Sequence, residues 1–354
     1  MATQKEIAIM KFLCVITVLT HQVLLGNADS THRLVPALYV FGDSTVDAGN
    51  NNNLKTPAKA NMYPYGIDFP KGPTGRFTNG KTSADILAIK LGLPMPPPYL
   101  GISETERYQV VTGINYASAS CGILNSTRAG GCLSLDKQVD YFTSTAKNDL
   151  PRNLKGEIEL KRHLSNSIYL LSIGSNDYAL NYLKSAMAPN AKITPQQFAD
   201  YLLGQLASRV KRIYDLGARK FVILGIGPLG CIPDIMRNTH SKGCNEAINQ
   251  MIKPFPDKLS SKLKELQTQL SGSSFISFDG FKFFQQIRNN TEKFGITNIS
   301  DPCVELGRKP CENRKQYYFF DVAHMSEAAN ELYAKEFFDG TLFPMNVKQL
   351  IAAN

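Results

Sequence analysis

The sequence predicts an α/β fold, a mostly parallel central sheet covered by helices on both faces. Three observations lead there. Nearly continuous apolar runs of five to seven residues recur along the chain, the pattern of strands buried on both sides. Longer stretches with apolar residues at three- and four-residue spacing, the signature of amphipathic helices, lie between them. Each run also stops at a polar tail containing Gly or Asp, and ligands bind beyond the carboxyl ends of strands in such sheets.

Residues 37–41 (Ala-Leu-Tyr-Val-Phe) are the first strand, ending in Gly42-Asp43-Ser44. Residues 167–173 are the second and run into Gly174-Ser175-Asn176-Asp177. Residues 220–224 are the third, followed by Gly225-Ile226-Gly227-Pro228, and residues 274–278 the fourth, followed by Asp279-Gly280. Residues 194–216 and 245–270 carry the helical spacing. The Pro-rich residues 94–98 are expected to form an extended surface loop, and no repeat or shift of composition marks a second domain. Residues 225–230 match Gly-x-Gly-x-x-Gly, but a dinucleotide site needs a helix N-terminus there. Pro228 and Pro233 predict a loop instead.

The first 28 residues stand outside this pattern. Lys5 and Lys11 make a weakly basic start, and residues 12–25 are mostly apolar, broken by Thr17, Thr20, His21 and Gln22. Gly26-Asn27-Ala28 supplies the small residues of a signal-peptidase site. The expectation is a removed signal segment, residues 1–28, and one domain over residues 29–354 of a secreted, extracellular protein. The apolar stretch is too short and interrupted to span a membrane, and no later segment is longer, so no stable membrane insertion is expected.

Hydrophobic residues make up 43% of the 354 and charged residues 19%, which excludes collagen-like, coiled-coil and disordered chains. The formal net charge is +9, yet Lys and Arg are scattered. The densest pairs, Lys161-Arg162 and Lys211-Arg212, fit solvated helix faces rather than a nucleic-acid site. Weak attraction to an acidic extracellular matrix is the expected consequence.

Cys14 falls in the signal segment and leaves Cys121, Cys132, Cys231, Cys244, Cys303 and Cys311. An even number in an exported chain predicts disulfides, paired as neighbours along the sequence. No Cys-x-x-Cys or nearby His pair suggests zinc. Asn125, Asn289 and Asn298 begin glycosylation sequons.

Of five histidines, His21 lies in the signal segment, His32 at the start of the mature chain, His163 in a charged run that predicts a surface position, and His240 in a loop. His324 differs, because Asp321 precedes it by three residues, a spacing that puts carboxylate and imidazole on one face of a helical turn. Ser44, at the mouth of the sheet, is the candidate nucleophile that such a pair would activate. The Gly-x-Ser-x-Gly elbow of α/β-hydrolases is absent. Asn176 offers a side-chain N–H for an oxyanion, and residues 113–122 offer small residues whose backbone N–H groups can approach a ligand.

Phe41-Gly42-Asp43-Ser44-Thr45-Val46-Asp47-Ala48-Gly49-Asn50 resembles the first block of the GDSL esterase/lipase family, the plant-type branch of the SGNH hydrolases. Asn115-Tyr116-Ala117-Ser118 with Gly122 resembles the second block, Gly174-Ser175-Asn176-Asp177 the third, and Asp321-Val322-Ala323-His324 the last. The blocks run in order through nearly the whole mature chain. The resemblance implies a flavodoxin-like three-layer α/β/α fold and hydrolysis of carboxylic esters, with Ser44 as nucleophile, His324 as base then acid, and Asp321 orienting it. It implies an oxyanion hole of the Ser44 N–H, the Asn176 side chain and a second-block N–H, from Ser120 or Gly122. Thr45 stands in place of the family's leucine, a change expected to matter little. Phe320 replaces a usual tryptophan, and Met325-Ser326 a usual Pro-Thr.

The expected substrate is a small-molecule, lipid or acylated-carbohydrate ester. Acyl transfer of this kind needs no metal or organic cofactor. A carbohydrate acetylesterase would use the same triad, with Tyr63, Tyr65 and Phe69 stacking on sugars or lining an acyl groove. A secreted binding module that lost its chemistry is the alternative from outside the enzymes.

Overall fold

The computed structural model describes residues 33–186, 193–305 and 307–353, with the backbone alone for Ser185 and Ala186. The expected signal segment, with Cys14, His21 and His32, lies outside the described residues. Every helix and strand among the described residues belongs to the unit Val35–Asn354.

β1 (Leu38–Gly42), β2 (Ile168–Ser172), β3 (Lys220–Leu224) and β4 (Ser274–Phe278) form a parallel sheet in that spatial order. Residues 112–118 run beside the other edge of β1. The N–H groups of Leu38 and Val40 donate to the carbonyls of Thr112 and Ile114, and those of Tyr116 and Ser118 donate to Val40 and Gly42. Counted in chain order the arrangement is 2-1-3-4-5, the flavodoxin-like doubly wound order. Its switch point lies at β1, where the chain leaves to one side and returns on the other.

Side-chain alternation sorts the two faces. Tyr39, Phe41, Tyr169, Leu171, Phe221 and Ile223 bury one face. Against it pack α2 (Leu135–Ser144), α3 (Glu157–Asn166), α4 (Pro195–Asp215), and, beyond α5 (Pro233–Asn238), α6 (Glu246–Ile252) and α7 (Pro254–Gln269). Leu38, Val40, Leu170, Val222, Ile276 and Phe278 bury the other face, under α1 (Ser83–Lys90), α8 (Gly280–Arg288), α9 (Glu327–Asp339) and α10 (Val347–Ala352). Burying one such side chain contributes about 1.5–3 kcal/mol, and a one-residue slip of any strand would exchange the side chains that fit the two helix layers.

Local chemistry sets the helix ends. Thr194 accepts the Gln197 N–H while Gln197 accepts the Thr194 N–H, and Pro195 opens α4, a capping box with proline at the first position. The single helix expected over residues 245–270 is two helices, α6 and α7. Pro254 and Pro256 supply no N–H to continue the ladder of α6, and Pro254 serves as the first residue of α7.

Two further expectations change. His163 is a buried residue, its Nε2 3.1 Å from Tyr39 Oη, because Leu160, His163 and Leu164 share the sheet-facing side of α3. Burial pushes its imidazole down to about 4. The Pro-rich segment is extended, but it pairs with the sheet's edge through Pro98 and Asn115 rather than crossing open surface. Residues 225–230 form, as expected, a loop and a short turn before α5. The six cysteines pair as neighbours, Cys121–Cys132, Cys231–Cys244 and Cys303–Cys311.

Candidate active site

Ser44 leaves the carboxyl end of β1 at the switch point. Gly42 is needed because a Cβ there would overlap the Ser172 carbonyl oxygen of β2 and come within 2.7 Å of Val46 Cγ2. The Gln138 carboxamide bonds the Gly42 N–H and carbonyl, both at 2.9 Å, and fixes the strand end. Asp43 is buried, and burial pushes its carboxyl up to about 6 against the Thr45 hydrogen bonds and the charge of His324. Thr45 is not idle: its hydroxyl donates to Asp43 Oδ1 at 2.8 Å and meets Ser172 Oγ at 2.9 Å.

Asp321 and His324 follow β6 (Tyr317–Phe319), which pairs in parallel with β5 (Asn298–Pro302). They sit in a bend, not on a helix as the spacing suggested. Asp321 Oδ1 accepts the N–H groups of Ala323 and His324 at 2.8 and 2.7 Å, an Asx turn that delivers the same i, i+3 meeting. His324 Nδ1 lies 2.9 and 2.8 Å from the two Asp321 oxygens, and Nε2 lies 2.8 Å from Ser44 Oγ. With its proton on Nδ1, facing the carboxylate, the imidazole keeps Nε2 as acceptor for the serine hydroxyl. Burial works against a charged His324, but Asp321, by charge and hydrogen bond, and Asp43 together raise it above its ordinary value. Burial likewise opposes an ionised Asp321, and His324, Ala323 and Tyr65 overcome it and hold the carboxyl below its usual range.

The departures at Phe320 and Ser326 are absorbed locally. Phe320 is fully buried against Tyr65. Ser326 caps α9 through the Ala329 N–H, the work a threonine would do.

The second block lies beside this site because the tail of the first block clasps it. Asn50 Nδ2 donates to the carbonyls of Asn115 and Ala117, Asn51 Nδ2 to Ala119, and Asp47 Oδ2 accepts the Ala119 N–H. Asp47 is wholly buried, and burial pushes it up to about 6 against the backbone N–H groups it accepts. Asp177 accepts the Ile123 and Leu124 N–H groups and the Thr127 hydroxyl at 2.7, 3.0 and 2.6 Å. It sits so close that a Cβ at Gly122 would overlap its carboxylate. With the Ala119 and Cys121 N–H groups engaged, those of Ser120 and Gly122 have no protein acceptor among the described residues. Asn176 Nδ2 donates to Cys121 O at 2.8 Å, which leaves a second N–H on that amide.

A cavity of about 300 Å³ opens beside Ser44 and His324. Its lining is mostly apolar and includes Ile173, Leu180, Ile226 and Met325 with the aromatic Phe284 and Phe319, and Asn176, Thr45 and Ser172 are among its polar groups. The glycine-rich loop of residues 225–230 is thus a wall of the cavity. Its apolar residues between turn residues are the signal of that role in the sequence. Of the aromatic residues expected to meet substrate, Phe69 is buried with the Arg76 guanidinium over its ring. Tyr65 turns its hydroxyl to Asp321 Oδ2 at 2.7 Å, and Tyr63 is exposed. Asn125 and Asn289 are exposed and Asn298 is half-buried.

Comparison with known proteins identifies the family. Residues 38–337 match the family model described as GDSL-like Lipase/Acylhydrolase. GDSL esterase/lipase At1g71691 of Arabidopsis thaliana is 38% identical over 93% of this chain and 89% of its own length. GDSL esterase/lipase 7 of the same plant is 38% identical over 96% of this chain and 99% of its own. Among solved structures, Est24, a carbohydrate acetylesterase from Sinorhizobium meliloti, aligns over 85% of this chain and 97% of its own at 14% identity. Its TM-score of 0.33 is too low to bear on the fold. On the family match and the plant relatives, the chain belongs to the GDSL-like lipase/acylhydrolases, enzymes that cleave ester bonds.

Proposed function

We propose that the protein hydrolyses carboxylic esters of an apolar acyl chain through an acyl-enzyme on Ser44. The observation that carries this is the aligned Ser44, His324 and Asp321 at the mouth of a largely apolar cavity. Ser44 Oγ attacks the carbonyl carbon while His324 Nε2 takes its proton. The oxyanion receives the Ser44 N–H, the free Asn176 N–H and that of Ser120 or Gly122. Collapse breaks the ester bond, and the alcohol leaves with the proton from His324. Water, deprotonated by His324, then attacks the acyl carbon and releases the acid and Ser44.

The cavity favours this over a carbohydrate acetylesterase. An acetyl group would leave most of the apolar wall untouched, and Tyr65 and Phe69 have other partners. Three disulfides support export to an oxidising compartment. Among the described residues no helix is long and apolar enough to cross a membrane.

A series of p-nitrophenyl esters from acetate to palmitate tests the reading. Each buried methylene is worth about 0.8 kcal/mol, so kcat/KM should rise roughly fourfold per methylene until the cavity is full. A maximum at acetate would favour the acetylesterase. No Ser44-dependent turnover by folded protein on any ester would favour the binding module.

A further inference from the structure

We propose that Tyr65 is a positioning residue for the reaction, its hydroxyl fixing the Asp321 carboxylate that orients His324. This rests on the proposed esterase activity. Tyr65 Oη donates to Asp321 Oδ2 at 2.7 Å, and the same oxygen faces His324 Nδ1 at 2.8 Å. The other oxygen takes the Ala323 and His324 N–H groups. Among the described residues, Tyr65 supplies the one donor to this buried carboxylate that comes from outside the Asp321–His324 turn.

The loop that carries Tyr65 is built to hold it there. Its ring packs edge-on against Phe77 and Phe320, with centroids 5.7 and 5.8 Å away, and Phe77 in turn lies 4.9 Å from the His324 ring. Arg314 bonds Asp68 through two nitrogens at 2.6 and 2.8 Å, and Asn79 Nδ2 donates to the same carboxylate. Asn79 Oδ1 accepts the Glu327 N–H at 2.8 Å. The loop is thus tied to the chain before the catalytic turn and after it, so the Tyr65 hydroxyl and the imidazole approach Asp321 as one framework.

The charges that face His324 are Asp321 on its own turn and Asp43 at the end of β1. Tyr65 acts on the first. Its O–H puts a positive dipole end on the carboxylate, so deleting the oxygen leaves more negative charge for the imidazolium to meet. The acid limb of the pH–rate profile, where His324 becomes protonated, then moves to higher pH.

Tyr65→Phe in the full chain keeps the ring and removes the oxygen. The expected result is a kcat about five- to tenfold lower on p-nitrophenyl esters with KM unchanged. The acid limb of kcat/KM should move up by about half a pH unit. In an Asp321→Ala background the same substitution should cost nothing more, since the oxygen then has nothing to hold. NMR titration of His324 reads the same shift without turnover, so it reports on the contact even if the esterase reading fails. An unmoved titration, or an equal loss in both backgrounds, overturns the proposal. So does a lowered melting temperature with unmoved titration, which would mark packing alone.

Discussion

At the residue scale, the proposed chemistry rests on three side chains, and a larger set holds them. Ser44, Asp321 and His324 can be read from the sequence because each has a local reason, a strand end for the serine and an i, i+3 carboxylate for the histidine. Tyr65 cannot, since its partner lies 256 residues away and a phenol bonds many kinds of acceptor. His163 reads as a surface residue because charged neighbours hide that positions 160, 163 and 164 share one helix face. Thr45 carries no reactive group that would mark it in the sequence, yet its hydroxyl links Asp43 to Ser172. Asn176 gives the sharpest test here. If its free N–H meets the oxyanion, Asn176→Ala should lower kcat by roughly two to three orders of magnitude with little change in KM. Steady-state kinetics on a chromogenic ester will show this, and a loss below tenfold would move the role to the backbone donors.

At the element scale, the four sheet strands and α4 are legible in the sequence, since continuous apolar runs and a capping box specify them with little help from elsewhere. The edge segment of residues 112–118 is not, because its Gly, Asn, Ala and Ser residues have weak strand preference and its order comes from β1 and the Asn50–Asn51 clasp. The break between α6 and α7 is signalled by Pro254 and Pro256, but the helical spacing around them outweighs that signal. Two glycines separate element ends from element interiors. Gly42→Ala should destabilise by about 1–3 kcal/mol, since the new methyl meets the β2 backbone. Gly204→Ala, inside α4 with nothing within 4 Å of the new carbon, should stabilise by about 0.5–1 kcal/mol. Denaturant midpoints of the two variants will compare them, and a Gly42→Ala protein as stable as the parent would contradict the close approach that places Ser44.

At the scale of the whole molecule, the strand order explains why the site is where it is. The chain leaves β1 towards residues 112–118 on one side and reaches β2 on the other, and this reversal opens the crevice that Ser44 enters. The first-block tail and Asp177 then bring the second block to the serine, while β6 and the Tyr65 loop bring the histidine. The alternation of strands and helices foretells the layers. Periodicity does not foretell the return of residues 317–324 to the sheet edge, because that return depends on a short strand paired with β5 and on contacts spanning more than 240 residues.

The central claim is that Ser44 becomes covalently acylated with His324 as its base. The most direct measurement is mass spectrometric mapping of the residue modified by a p-nitrophenyl alkylphosphonate, which traps an activated serine. The expected result is one adduct, on the peptide containing Ser44, formed in the parent protein and lost in both Ser44→Ala and His324→Ala. An adduct on another residue, or equal labelling of Ser44 without His324, would contradict the account.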